Sequence, residues 1–234
     1  MQKAPQKSAR YLVAGIGLLT IFAIIAYLVF SKTTQSLDGQ LALWINSNAS
    51  PSVTPLMDWA SLYGREYVWI GLVGVMLIFG KRNTKLLAVE LAALFVVGII
   101  TGELLKAVAM RERPFQTISA IVVRGLPPEY DSSFPSGHAL IVSIGAVFAL
   151  LKFKPGKKSR VVALLLTLEA LIVSYSRIYV GLHYPLDVAA GWALGSAIVL
   201  LGAYIIERYL PKIFNSIARS IESILKRLRF PEAL

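Results

Sequence analysis

The sequence predicts an all-α fold: an integral membrane bundle of six helices with short extracytoplasmic surface helices. Six apolar runs recur along its 234 residues. The chain is 56% hydrophobic and 16% charged, with a mean hydropathy of +0.65, whereas soluble domains carry about 25% charged residues. Its basic residues gather in alternate connections between the runs, as expected when charge sorts loops to one membrane face.

The first run, Tyr11–Phe30, follows Lys3, Lys7 and Arg10. It is long enough to span, and no small-residue cleavage pattern follows it. It therefore reads as a retained helix rather than a signal peptide. Residues 31–66 are polar, with two partly apolar stretches at Leu41–Ile45 and Val53–Leu62. These read as surface helices, with Trp44 and Trp59 at headgroup height.

The second run is Tyr67–Gly80, entered through Arg65 and Glu66. The third is Leu86–Leu105, the fourth Ala139–Phe153, the fifth Val161–Tyr175 and the sixth Leu186–Ile206. A perpendicular span needs roughly 17–25 residues. The second, fourth and fifth runs are shorter, so each extends into polar residues at the surface or lies tilted. Gly98 and Gly102, and again Gly191 and Gly195, recur at a spacing of four. Small residues at that spacing let helices approach closely, here within one bundle.

The 107–134 connection is long for a bundle and carries Arg124, Pro127, Pro128, Glu129 and Asp131. Long connections are often functional, so this one is expected to lie over the site. Residues 1–206 form the membrane domain. Beyond it, Ile213, Ile217, Ile221, Ile224 and Leu228 share one helical face, with Lys212, Arg219, Lys226, Arg227 and Arg229 around it. Residues 207–234 thus read as a basic amphipathic cytoplasmic tail on anionic lipid.

Net charge is +11, but the cations lie between apolar runs rather than on one face of a soluble domain. That pattern speaks for membrane topology and against nucleic acid. The N-terminus, 81–85, 152–160 and the tail hold seventeen of the 24 lysines and arginines, so that side reads as cytoplasmic. The other side holds Lys32, Arg65, Lys106, Arg111, Arg113, Arg124 and Arg177. Cysteine is absent, which excludes disulfides, thiolate catalysis and zinc–thiolate sites.

Three short blocks on the extracytoplasmic side contain both histidines. In the first, Lys106 and Arg113-Pro114 offer a point charge and a planar fork to an anion. Seven residues put the two cations on about one face of a continuing helix, although Pro114 limits it. In the second, Pro135-Ser136-Gly137-His138, Ser136 reads as the cap of an apolar helix. Gly137 lets the backbone approach a ligand, and the helix start favours negative charge. In the third, Ser176-Arg177 adds a cation, and Asp187 lies four residues after His183 with Pro185 between. Asp187 near the start of the sixth span can reach back to one ring nitrogen, which would leave the other a free lone pair. Spacing alone leaves open which histidine attacks; the carboxylate partner favours His183.

Together, Lys106-x6-Arg113-Pro114, Pro135-Ser136-Gly137-His138 and Ser176-Arg177-x5-His183-x3-Asp187 resemble the three signature blocks of the type 2 phosphatidic acid phosphatase superfamily. The resemblance implies a membrane enzyme that removes phosphate from a lipid phosphate or diphosphate, with no metal or other cofactor. Phosphatidic acid, phosphatidylglycerol phosphate and polyprenyl diphosphate fit that class. It implies His183 as nucleophile, Asp187 as its orienting partner and His138 as general acid. Lys106, Arg113, Ser136, Gly137 and Arg177 would hold the phosphate. A phosphotransferase acting on an acceptor lipid is the alternative, and a non-catalytic lipid-phosphate binder or translocator is a second one. Glu90 and Glu169 lie inside apolar spans, where acids are functional candidates, but the three blocks are complete without them. Glu103 is placed to pair with Lys106 one turn on. Arg111, Glu112 and Tyr184 border the blocks and are expected to shape the pocket.

Overall fold

The computed structural model describes residues 4–125, 127–153 and 156–228; Lys3, Lys154 and Arg229 of the charge argument lie outside them. Among the described residues the regular structure is helical. The chain runs through α1 (Ala4–Phe30), α2 (Gln35–Ser47), α3 (Thr54–Tyr63), a π-helical turn (Gly64–Val68) and α4 (Trp69–Phe79). It continues through α5 (Arg82–Ala109), the single turn α6 (Pro114–Thr117), α7 (Gly137–Lys152), α8 (Lys157–Tyr179), α9 (Pro185–Tyr209) and α10 (Pro211–Arg227). Four stretches are long and apolar enough to cross a membrane: Ala9–Phe30, Arg82–Thr117, Lys157–Tyr179 and Pro185–Tyr209. Helices α4 and α7 are shorter apolar helices. The protein is an all-helical, multi-pass membrane protein.

Helix α7 is the hub. It is buried almost throughout and packs against α5, α8 and α9, while α1 lies along α9. Small residues permit this. A Cβ at Gly191 would stand 2.8 Å from the Ser136 carbonyl and 2.9 Å from the Ala139 Cβ; one at Gly195 would meet Ser143 Oγ and stand 2.5 Å from the Leu140 carbonyl. The glycine pairs therefore serve contacts inside one bundle. Outward-facing Val13, Ile24, Val96, Ile100, Leu164 and Leu168 are exposed, as suits side chains that meet lipid.

The short runs resolve in three ways. The fifth lengthens at both ends into α8. The fourth stays short, because α7 starts at the Ser136 cap and ends at the extended Phe153. The second is joined to what read as a separate surface helix. Gly64 and Val68 keep helical backbone angles, so Thr54–Phe79 is one helical run interrupted by a π turn. Such turns insert a residue and re-aim the side chains after it. Only glycine fits at 64, where a Cβ would strike Val173 of α8. Trp44 and Trp59 are exposed, as an interfacial position requires. Helix α10 packs back on α5 and α9 through buried Ala218.

Candidate active site

The three blocks converge at one end of the bundle, where α5 and α8 finish and α7 and α9 begin. Helix α5 stops because Met110 turns left-handed, with φ 45°, so Lys106 and Arg113 do not share a helix face. They are brought together by the long connection instead. Asp131 Oδ2 lies 2.5 Å from Lys106 Nζ, and Asp131 Oδ1 lies 2.5 Å from Arg113 Nη2. Lys106 thus turns to Asp131 across the site rather than to Glu103 on its own helix.

Ser136 caps α7, its hydroxyl accepting the Ala139 N–H at 3.4 Å, and its own N–H donates to the Asp187 carbonyl at 3.0 Å. The second block is thereby tied to the third. A Cβ on Gly137 would stand 3.7 Å from Arg65 Nη1 and 4.0 Å from Lys106 Nζ. The bare backbone at the helix start therefore faces two cations. His138 Nε2 is 3.1 Å from the Ser61 carbonyl. A carbonyl only accepts, so this nitrogen bears hydrogen.

His183 is buried in the turn before α9. Its Nδ1 lies 2.8 Å from the Ser133 carbonyl and 3.5 Å from Asp187 Oδ2. The carbonyl assigns the proton to Nδ1 and leaves the lone pair on Nε2, 3.3 Å from Arg113 Nη1. Asp187 reaches Nδ1 at ion-pair range, and a backbone carbonyl shares that nitrogen at shorter range. The reason is local. Asp187 is the third residue of α9, where Oδ2 accepts the Tyr184 N–H at 2.9 Å in a capping box, and Oδ1 pairs with Arg111 Nη1 at 2.5 Å. Burial, then the charges of Arg113, Arg177 and Lys106, hold the His183 imidazole well below its usual pKa of 6.5. It is neutral at neutral pH.

Arg177 donates from Nη1 to Ser61 Oγ at 2.7 Å and from Nη2 to Glu129 Oε1 at 2.5 Å, while its buried Nε has no hydrogen-bond partner among the described residues. Glu129 Oε2 lies 2.6 Å from Arg113 Nη2. Burial works to raise the Glu129 and Asp131 carboxyls, but the cations outweigh it, and both titrate below the usual carboxylate range.

Sequence reasoning had Arg111 only as a neighbour of the blocks and missed Asp38, Ser61, Arg65 and Ser133. Arg111 Nη2 pairs with Asp38 Oδ2 of α2 at 2.7 Å, and its guanidinium lies over the Tyr184 ring at 4.0 Å. Asp38 Oδ1 also accepts the Leu186 N–H at 2.9 Å. The available signal was charge: Arg65 and Arg111 are among the few cations on the basic-poor side.

Glu90 stands at the other end of the bundle, 3.3 Å from Lys152, which also binds Glu207 at 2.7 Å. Glu169 faces the π turn at Gly64. Neither joins the site. Among the described residues no group of three His, Asp or Glu side chains could hold a metal. An apolar cavity of about 210 Å³ between α4 and α5, walled by Trp69, Ile70, Phe95 and Ile99, reaches up to Gly137 and Arg65.

Residues 85–210 match the PAP2 superfamily model. The chain is 40% identical over 188 residues to the undecaprenyl-diphosphatase of Sulfolobus acidocaldarius, covering 80% of this chain and 87% of that one. It is 26% identical over 210 residues to phosphatidylglycerophosphatase B of Bacillus subtilis, covering 80% and 91%. The crystal structure of a transmembrane PAP2-type phosphatidylglycerolphosphate phosphatase from Bacillus subtilis superposes with a TM-score of 0.71 at 22% identity, over 83% of this chain and 96% of that one. With the family model covering more than half of its length, and a relative at 40% identity over 80% of it, the chain belongs to the PAP2 superfamily.

Proposed function

We propose that the protein is a membrane lipid phosphate phosphatase, cleaving a phosphomonoester or diphosphate of a lipid through a phosphohistidine on His183. The observation that carries this reading is the His183 ring. Its proton is fixed on Nδ1 by the Ser133 carbonyl, and its Nε2 lone pair faces Arg113 in a cluster with Arg177 and Lys106. A neutral imidazole amid cations is a nucleophile aimed at a phosphorus atom.

In the first step Nε2 attacks phosphorus, the N–P bond forms and the P–O bond to the leaving group breaks. His138 gives that oxygen a proton. Lys106, Arg113, Arg177 and the α7 start with Ser136 and Gly137 bind the phosphoryl oxygens, where charge accumulates in the transition state. In the second step water attacks phosphorus and gives a proton to His138, and the N–P bond breaks to release phosphate and free His183. Burial, then the charges of Arg177, Arg65 and Lys106, hold the His138 imidazole well below its usual pKa of 6.5. A bound phosphate dianion offsets them, so substrate itself helps His138 carry the proton it donates. Asp187 supports the charge on His183 from behind.

The charge asymmetry of the connections supports a site on the extracytoplasmic face with both termini cytoplasmic. A site at the end of a membrane bundle suits an amphiphile, whose headgroup meets the cations while its chain follows the apolar cavity beside α4. The names of the relatives agree with a lipid substrate.

The test is hydrolysis by the detergent-purified protein of phosphatidic acid, phosphatidylglycerol phosphate and a polyprenyl diphosphate, with chelator present. Release of phosphate from at least one, abolished in His183→Ala, is expected. Full activity in His183→Ala would overturn the reading.

A further inference from the structure

The long connection does more than cover the site. From Pro127 to Ser133 it crosses the cations and sends two carboxylates in, Glu129 and Asp131. Tyr130 between them is 74% exposed. The segment is pinned beyond Asp131, where the Ser133 N–H donates to the Arg111 carbonyl at 2.8 Å and Ser132 Oγ accepts the Arg111 N–H at 3.0 Å.

The two carboxylates divide three cations into two adjoining anion positions. Asp131 takes the position between Lys106 and Arg113, and Glu129 the position between Arg113 and Arg177. Arg113 Nη2 serves both, at 2.5 and 2.6 Å. It donates a hydrogen to Asp131 Oδ1 and stands in an ion pair with Glu129 Oε2. Two anionic groups meeting at one nitrogen are close enough to belong to one molecule. Carboxylate and phosphoryl oxygens use the same donors.

We propose that Glu129 and Asp131 stand where the two phosphoryl groups of a lipid diphosphate bind, and that they set the preference of the site for a diphosphate over a monophosphate. This rests on the functional reading above. A diphosphate exchanges with both carboxylates at once. A monophosphate fills one position and leaves the other carboxylate beside it, where like charges repel. Both carboxyls titrate below the usual carboxylate range, so the exchange at neutral pH is anion for anion, with no proton gate.

The test uses the full chain in detergent, made catalytically silent by His183→Ala so that binding is read apart from turnover. Calorimetry measures inorganic pyrophosphate and orthophosphate, alone and with Glu129→Gln, Asp131→Asn or both. The silent protein should bind pyrophosphate more tightly. Each neutral amide should tighten orthophosphate by about fivefold, as removal of a partly exposed charge contact permits. The double change should narrow the preference for pyrophosphate. Equal binding of the two anions by the silent protein, or weaker binding of both after either amide change, would overturn the proposal. The same amide changes in the active chain should lower KM for an isoprenoid monophosphate more than for the diphosphate. An unchanged ratio of the two KM values would also overturn it. Failure of the unaltered chain to hydrolyse either lipid would instead strike the functional reading, whatever the binding data show.

Discussion

Arg111→Gln removes the cation that two buried acids share. The Arg111 side chain is 13% exposed, and those of Asp38 and Asp187 are 1% and 0% exposed, so solvent screens little of the loss. Removing one partner of such a pair strands a buried charge at a cost of about 3–5 kcal/mol. For a chain of this size that is a fall in melting temperature on the order of 10 °C. Asp187 also backs His183 at 3.5 Å. Without Arg111 only the Tyr184 N–H still holds its carboxylate, and loss of a comparable supporting contact behind a histidine lowers activity about 10–100-fold. The assay is thermal unfolding in detergent by tryptophan fluorescence, alongside initial rates. Adding Asp38→Asn to Arg111→Gln should recover part of the stability, because one stranded charge is gone; the two costs are then less than additive. Acidification should narrow the gap to the unaltered protein, since a protonated carboxyl no longer needs the cation. Melting within about 2 °C of the unaltered protein, together with an unchanged rate, would refute the reasoning.

Gly195→Leu should destabilise the bundle by about 1–3 kcal/mol through overpacking, because even a Cβ there meets Ser143 and the Leu140 carbonyl. Gly17→Ala, with nothing within 4 Å of its Cβ, should leave melting unchanged or slightly raised. Because His183 is held below 6.5, the acid limb of kcat/KM should fall below pH 6.5 as the nucleophile protonates. A limb centred above pH 7 would contradict that. Ser61→Ala removes the acceptor of an Arg177 N–H at 2.7 Å, leaving a buried charged donor short by about 1–3 kcal/mol. The expected readouts are a raised KM and weaker competition by orthophosphate, with the His138 bond to the Ser61 backbone retained.

Much of the frame is legible in the sequence, because a span reports itself by local hydropathy and the three blocks are local strings. The helix start at Ser136 follows from a cap before an apolar run. What escapes is what depends on distant partners. Arg111 meets Asp38 and Asp187 across separations of 73 and 76 residues, and nothing in the neighbourhood of Asp38 marks it as a partner. Two details lie in local geometry that hydropathy and spacing do not carry. Hydropathy cannot see that Thr54–Tyr63 runs on through a π turn, because Arg65 and Glu66 break the apolar run while the backbone stays helical. Spacing pairs Asp187 with His183, and the two lie 3.5 Å apart; it does not show that the cap at Tyr184 and the cation at Arg111 also use the Asp187 oxygens. The acidic segment at 129–131 reads in the sequence only as cover; its two carboxylates become informative once the cations they pair with are placed.

The account rests on His183 as the atom that takes phosphorus. Its most direct test is rapid acid-free quenching of the detergent-purified protein during turnover of a lipid substrate labelled in its terminal phosphate, followed by peptide mapping. The account predicts an alkali-stable, acid-labile label on the peptide containing His183, absent from His183→Ala and prolonged in His138→Ala. A label on His138, or turnover by His183→Ala at the rate of the unaltered protein, would contradict it.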